Sequence, residues 1–339
     1  AVGVTVTADG SQKYADGAAV LAHGVRTACR DSEYDIDLFA IVHKNATQSQ
    51  QWLSKLGYKV FVRDLPLQHH EIQGEYLKKR ITKSGCCGMD ELLKLHAYAL
   101  TDYERVLALD MDSMVLRCPD DLFARPEDAL YTYDFGMMPK QNRPSALQSA
   151  LQAFHLVDAD KMKPAVQGGF ILVRPNIEVY KEYVEIFRVG DFRERGQWGG
   201  SGIGHFWGGV TIQGVVSYYY NYLHRGKGAE VDRCIYNNMA DAPENGRCRE
   251  TPLEQVKGVH FTVCRKPWDC PGPKEGHPQC QAFHREWRAL RSQFESSLGL
   301  EPSDVCRGAG SKNYQLMDLT GLGVAFDSLE KHKNLNLLG

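Results

Sequence analysis

The 339-residue chain lacks any apolar run long enough to cross a bilayer, so no spanning segment is expected within it. It also lacks charge of one sign, since 40 Lys and Arg against 42 Asp and Glu leave a net charge near −2. Without a basic field nothing draws the whole protein onto nucleic acid or an anionic membrane. No C-x-x-C pair occurs and the cysteine spacings match no zinc module, which argues against structural zinc. No internal repeat is present. Residues 5–13 lack the Gly-rich, basic loop expected of a sugar nucleotidyltransferase. A hydrophobic share of 43% still supports a folded core, enough for one large α/β domain or two ordinary ones.

Cysteine, by contrast, is abundant. Six of the ten, Cys234, Cys248, Cys264, Cys270, Cys280 and Cys306, cluster late in Gly- and Pro-rich chain, where disulfide staples are most useful. Asn45-Ala46-Thr47 is a glycosylation sequon, and the chain begins at Ala1 rather than Met. These features predict a secretory-lumen protein, with a cytoplasmic protein carrying free thiols as the alternative. A membrane tie is expected only through an anchor outside this chain. Oligomeric state is left open.

Along the first third, strand and helix patterns alternate. Residues 2–6, 38–42, 59–62 and 106–109 read as short apolar strands. Between them Ala18, Leu21, Val25 and Ala28, then Trp52, Leu53 and Leu56, then Leu93, Ala97 and Leu100 recur at helical spacing, the last set in a helix over 90–101. Such alternation predicts a mostly parallel sheet covered on both faces, which binds ligands at the carboxyl ends of its strands. A further strand over 169–173 and a helix from about Glu178 follow. Residues 196–209, "GQWGGSGIGHFWGG", read as a mobile loop or lid whose Trp198, Phe206 and Trp207 either stack on a ligand or pin the loop. Tyr218 to Tyr220 read as a buried helix. Phe283, Trp287, Leu290, Phe294 and Leu298 mark one face of a late amphipathic helix.

The chemistry concentrates in "YERVLALDMDSMVL", residues 103–116. Asp110 and Asp112, one residue apart on backbone leaving a strand, can turn toward one point. Their hard oxygens suit Mg²⁺ or Mn²⁺, and a dication there would offset their repulsion and grip a diphosphate. A D-x-D pair also fits a solvated strand end. The phosphatase pattern D-x-D-x-[TV] fails because its fifth position is Met114. In "HFTVCRKPW", residues 260–268, His260 offers an imidazole that favours Mn²⁺, and Lys266 offers a cation to phosphate oxygens.

Together these two stretches strongly resemble the family 8 retaining glycosyltransferases, the glycogenin family, and the resemblance runs from residue 1 to about 270. It implies an α/β GT-A fold with a mostly parallel central sheet and helices on both faces. The Rossmann-like nucleotide-binding half would occupy 1–125 and the acceptor and catalytic half 126–270. Residues 271–339 would form a linker, the amphipathic helix and a tail. The family implies Mn²⁺, with Mg²⁺ as the other candidate, and a UDP-sugar as co-substrate. A glycan, glycoprotein or small-molecule hydroxyl would be the acceptor, with no nucleic acid partner, and the Golgi is the expected compartment. By resemblance Asp110, Asp112 and His260 hold the metal. Tyr14 stacks on uracil, while Lys94 and Lys266 approach the diphosphate. Asp134 contacts sugar hydroxyls, and Gln167 is a donor-binding residue standing where the family usually has Asn.

One position departs from the family. The glycogenin pattern D-Q-G reads Ile212-Gln213-Gly214 here, and Ile212 has no lone pair with which to attack a sugar. Gln213 is therefore the catalytic candidate at the anomeric carbon, with Asp134 and Lys94, and front-face attack is expected over a covalent intermediate. The missing acid also leaves an alternative, a non-catalytic nucleotide-sugar-binding protein with this fold.

Overall fold

The computed structural model describes residues 1–143, 164–241, 247–272, 275–301 and 304–319. Its centre is a seven-stranded sheet of order β10-β6-β7-β4-β1-β2-β3. The strands are β1 Val2–Val6, β2 Leu38–His43, β3 Lys59–Arg63, β4 Val106–Leu109, β6 Ala129–Tyr133, β7 Val166–Val173 and β10 Gly228–Glu230. Only β7 runs against the rest, antiparallel to both β4 and β6. Side chains of β1, β4 and β7 are buried on both faces, the signature of a sheet sandwiched between helix layers. The expected mostly parallel sheet is thus present, with one reversed strand beside the acidic one.

Two apolar clusters lie on opposite faces. One joins the sheet to α1 Gln12–Ala28, α2 Thr47–Lys55 and the late helix α6 Pro278–Ser297. The other joins it to α3 Glu75–Ile81, α4 Ile177–Val189 and α5 Ile212–Tyr218. Phe283, Trp287, Leu290 and Phe294 of α6 are buried as their spacing predicts, and they share a core with α1. Helix α1 comes unusually close to the acidic segment. A Cβ on Gly17 would lie 2.7 Å from the Met111 carbonyl oxygen, and one on Gly24 2.8 Å from that of Val115. Seven residues apart on one helical face, these glycines let backbone pack on backbone where the two acids sit.

One element differs from its sequence pattern. Instead of an α-helix over 90–101, Gly88–Ala99 winds as 3₁₀ turns. Its apolar residues are buried nearly all round rather than on a stripe. In 3₁₀ geometry residues three apart eclipse each other, which stacks Glu91 and Lys94 on one side. Residues 320–339, most of the expected tail, lie outside the described residues.

Four disulfides form: Cys29–Cys118, Cys234–Cys248, Cys264–Cys280 and Cys270–Cys306. The six late cysteines pair only with one another, as chains matured in oxidising compartments commonly do. No described helix is long and apolar enough to cross a membrane. Cys86 and Cys87 remain free and exposed.

Candidate metal and nucleotide-sugar site

The site is assembled by strand pairing. Asp110 leaves the carboxyl end of β4, and Asp112 precedes the short strand β5 Ser113–Val115. Strand β11 Gly258–His260 pairs antiparallel with β5, placing His260 opposite Ser113. The Phe261 amide then donates to the Asp112 carbonyl at 2.9 Å. A histidine about 150 residues away in sequence is thereby fixed beside both acids. Its Nε2 lies 3.4 Å from Asp112 Oδ1 and 3.7 Å from Asp110 Oδ2.

One ligand atom from each of Asp110, Asp112 and His260 falls within 4.8 Å of the others. Neighbouring ligands on an octahedral dication with bonds of about 2.1 Å stand about 3 Å apart, so small adjustments of these side chains suffice. The donor set is hard oxygen plus borderline nitrogen, which fits a divalent metal ion. Gly169 of β7 keeps the floor clear, because a Cβ there would come 2.4 Å from His260 Cε1 and 2.8 Å from Asp110 Oδ2.

Two lysines balance the acids. Lys94 donates to Asp110 Oδ1 at 2.7 Å and to the Gly168 carbonyl at 2.9 Å. Lys266 donates to Asp112 and to the Phe261 carbonyl. Burial by itself would raise the Asp112 pKa, but His260 and Lys266 overcome it and hold the carboxyl well below the usual range. Burial likewise works against protonated Lys94 and His260, yet Asp110 keeps Lys94, and Asp112 keeps His260, above their ordinary values. The segment carrying His260 and Lys266 is stapled at Cys264 to Cys280, in the first turn of α6, and at Cys270 to Cys306.

These groups open onto a cavity of about 500 Å³, within the range of roughly 300–1,000 Å³ usual for small-molecule sites. Tyr14, Lys94, Gln167, Gln213 and Lys266 line it with the acids and His260. Tyr14 is 39% exposed at the rim, edge-on to Trp268. Gln167 accepts the Gly169 amide through Oε1 and donates through Nε2 to Asp134 at 3.2 Å. Asp134 is not among the residues that line this cavity. It stands behind Gln167 and caps its own turn by accepting the Gly136 amide at 2.8 Å. Ile212 is buried in the core.

The sequence reading passed over Glu91. It is buried, lines the cavity, and lies 2.9 Å from Thr211 Oγ1, which in turn is 2.7 Å from Gln213 Oε1. Burial raises the Glu91 pKa, opposed by Lys94. An acid thus stands one hydroxyl behind Gln213 although the chain has none beside it in sequence. The lone signal was its place three residues before Lys94. The Gly- and aromatic-rich loop also sorts itself: Trp198 is buried and donates to the Gly209 carbonyl at 2.7 Å, whereas Trp207 is 50% exposed. Tyr218, Tyr219 and Tyr220 are all buried.

No family model and no curated protein sequence matches the chain. Among solved structures, galactosyltransferase LgtC in complex with donor and acceptor sugar analogues superposes with a TM-score of 0.49 at 14% identity, over 86% of this chain and 96% of that one. The bifunctional glycosyltransferase WbbM gives 0.48 at 14% identity over 86% of this chain, which spans only 50% of its length. Mouse xyloside xylosyltransferase 1 gives 0.45 at 12% identity, over 78% and 98%. Similarities at this level assign no activity.

Proposed function

We propose that the protein is a Mn²⁺-dependent retaining glycosyltransferase of the glycogenin type, moving a sugar from a UDP-sugar to a hydroxyl acceptor. The observation that carries this reading is the convergence of Asp110, Asp112 and His260 at the carboxyl edge of the sheet, flanked by Lys94 and Lys266 in one cavity. When bound there, the ion supplies Lewis-acid charge to the diphosphate. Lys94 and Lys266 would turn from the carboxylates toward phosphate oxygens, stabilising negative charge as the bond from the sugar C1 to the diphosphate breaks. Tyr14 offers its exposed ring to uracil, and Asp134 orients Gln167 toward the sugar hydroxyls.

On the far side of C1 the Gln213 amide oxygen and Glu91 both reach the Thr211 hydroxyl, whose single proton serves one of them at a time, and the amide oxygen can stabilise a developing oxocarbenium ion. The acceptor oxygen then bonds to C1 on the face the diphosphate leaves, and its proton passes to the departing phosphate. Neither Ile212 nor Gln213 is suited to form a covalent sugar adduct. The four disulfides and the exposed sequon at Asn45 support a Golgi-type lumen as the working compartment.

The test is UDP release by the purified chain with Mn²⁺ across a panel of UDP-sugars. Turnover with at least one donor, abolished by EDTA, is the expected result. Binding of UDP-sugars with no turnover would instead favour a non-catalytic nucleotide-sugar-binding protein, the reading that Ile212 keeps open. Mass spectrometry after incubation with donor should find no sugar on Gln213 or its neighbours.

A further inference from the structure

Beside the acid-lined cavity lies a larger groove of about 1030 Å³, and Met137 and Trp207 border both. Its wall is predominantly cationic. Lys79, Arg80 and Lys83 come from α3 and the turn after it, Lys140 and Arg143 from the segment after β6, and Arg193 from the β-hairpin formed by β8 Phe192–Arg193 and β9 Gln197–Trp198. Among the described residues the sole acid on this wall is Glu194. In a chain whose net charge is −2, such a concentration is not a matter of composition.

Basic residues at the end of a helix complement its dipole, which accounts for Lys79 and Arg80. It does not account for Lys140, Arg143 and Arg193, which reach the same wall from separate segments. Arg193 is held by Asp191, Arg143 donates to the Met138 and Gly136 carbonyls, and Arg80 lies over the Tyr76 ring. Lys79, Lys83 and Lys140 are exposed and have no ion-pair partner among the described residues. At the junction with the acid-lined cavity, Trp207 presents a half-exposed ring, its amide held by the Met137 carbonyl at 3.1 Å. A flat aromatic face beside spaced cations suits a chain of pyranose rings with anionic substituents.

We infer that this groove binds an anionic oligosaccharide, with sugar units bearing carboxylate or sulfate, whose free hydroxyl end passes Met137 and Trp207 into the acid-lined cavity. Its role as acceptor rests on the glycosyltransferase reading; the binding itself does not. An exposed cationic wall also sets the direction of salt dependence, because screening weakens pairs that stay in contact with water.

Isothermal titration of the full chain, without donor, tests this with four probes. They are a uronic-acid hexasaccharide, a sulfated hexasaccharide, a neutral glucose hexasaccharide and a polyglutamate peptide of matched charge. We expect at least one anionic saccharide to bind about tenfold or more tighter than the neutral one, a gap that closes between about 0.05 and 0.5 M salt. Lys83→Glu combined with Lys140→Glu should remove most of that advantage and leave donor-only UDP release unchanged. Which anionic saccharide binds better distinguishes carboxylate from sulfate. Equal binding of neutral and anionic saccharides, tighter binding of polyglutamate, or an unchanged affinity in the double variant would each overturn the inference. Charge-dependent saccharide binding without UDP release from any donor would remove the enzyme reading and leave the groove assignment standing. UDP release without charge-dependent binding would do the reverse.

Discussion

The two depressions that meet at Met137 and Trp207 treat charge in opposite ways. In the acid-lined cavity both carboxylates of the candidate metal site have counter-charges from the chain, Lys94 for Asp110 and Lys266 with His260 for Asp112. In the neighbouring groove three lysines stand in water with none among the described residues. Depth explains the difference. An ion withdrawn from water costs several kcal/mol unless it is matched, so the cavity must carry its own counter-charges in fixed positions. An exposed lysine is solvated already and can wait for a ligand. The cavity is therefore specified to the ångström by the sheet, and the groove only by sign.

The sharpest way to break this comparison is Asp112→Ala, which removes one carboxylate of the candidate metal site and strands Lys266. UDP release should fall at least about a hundredfold, the scale of losing a principal electrostatic stabiliser, and EDTA treatment of the unaltered chain should match it. Next, Cys264→Ser with Cys280→Ser frees the segment that carries His260 and Lys266. Urea unfolding should show a loss of about 2–4 kcal/mol, and a midpoint that does not move would detach the staple from the site. Gly169→Ala should weaken Mn²⁺ binding about 10–100-fold by titration calorimetry, since its methyl group displaces His260 or Asp110. Smallest of all, Lys83→Glu with Lys140→Glu should change unfolding free energy by no more than about 0.5 kcal/mol, as surface substitutions do. A larger loss would mean these lysines support the fold rather than a ligand.

Legibility in the sequence followed how local each signal was. The strand before Asp110 and the apolar face of α6 were readable because their periodicity is carried by neighbouring residues. Leu93, Ala97 and Leu100 suggested an α-helix, yet the segment is wound as 3₁₀ turns, a choice invisible to spacing when residues are buried nearly all round. Trp198 and Trp207, nine residues apart in one Gly-rich loop, looked equivalent. Packing against Phe187, Phe192 and Tyr218 buries the first and leaves the second half-exposed. Glu91 was unreadable as a site residue because what marks it is Thr211, 120 positions later.

By itself the sequence determined the alternation of strands and helices, the acids at the mouth of β4, the shortage of an acid at Ile212 and the abundance of late cysteines. Each is a property of residues adjacent in the chain. Only the tertiary structure decided that His260 stands between the two carboxylates, that Glu91 backs Gln213, and that six cations from three segments share one wall. Those relations depend on strand register and on backbone brought close at Gly17, Gly24 and Gly169, and distance through space is not encoded in distance along the chain.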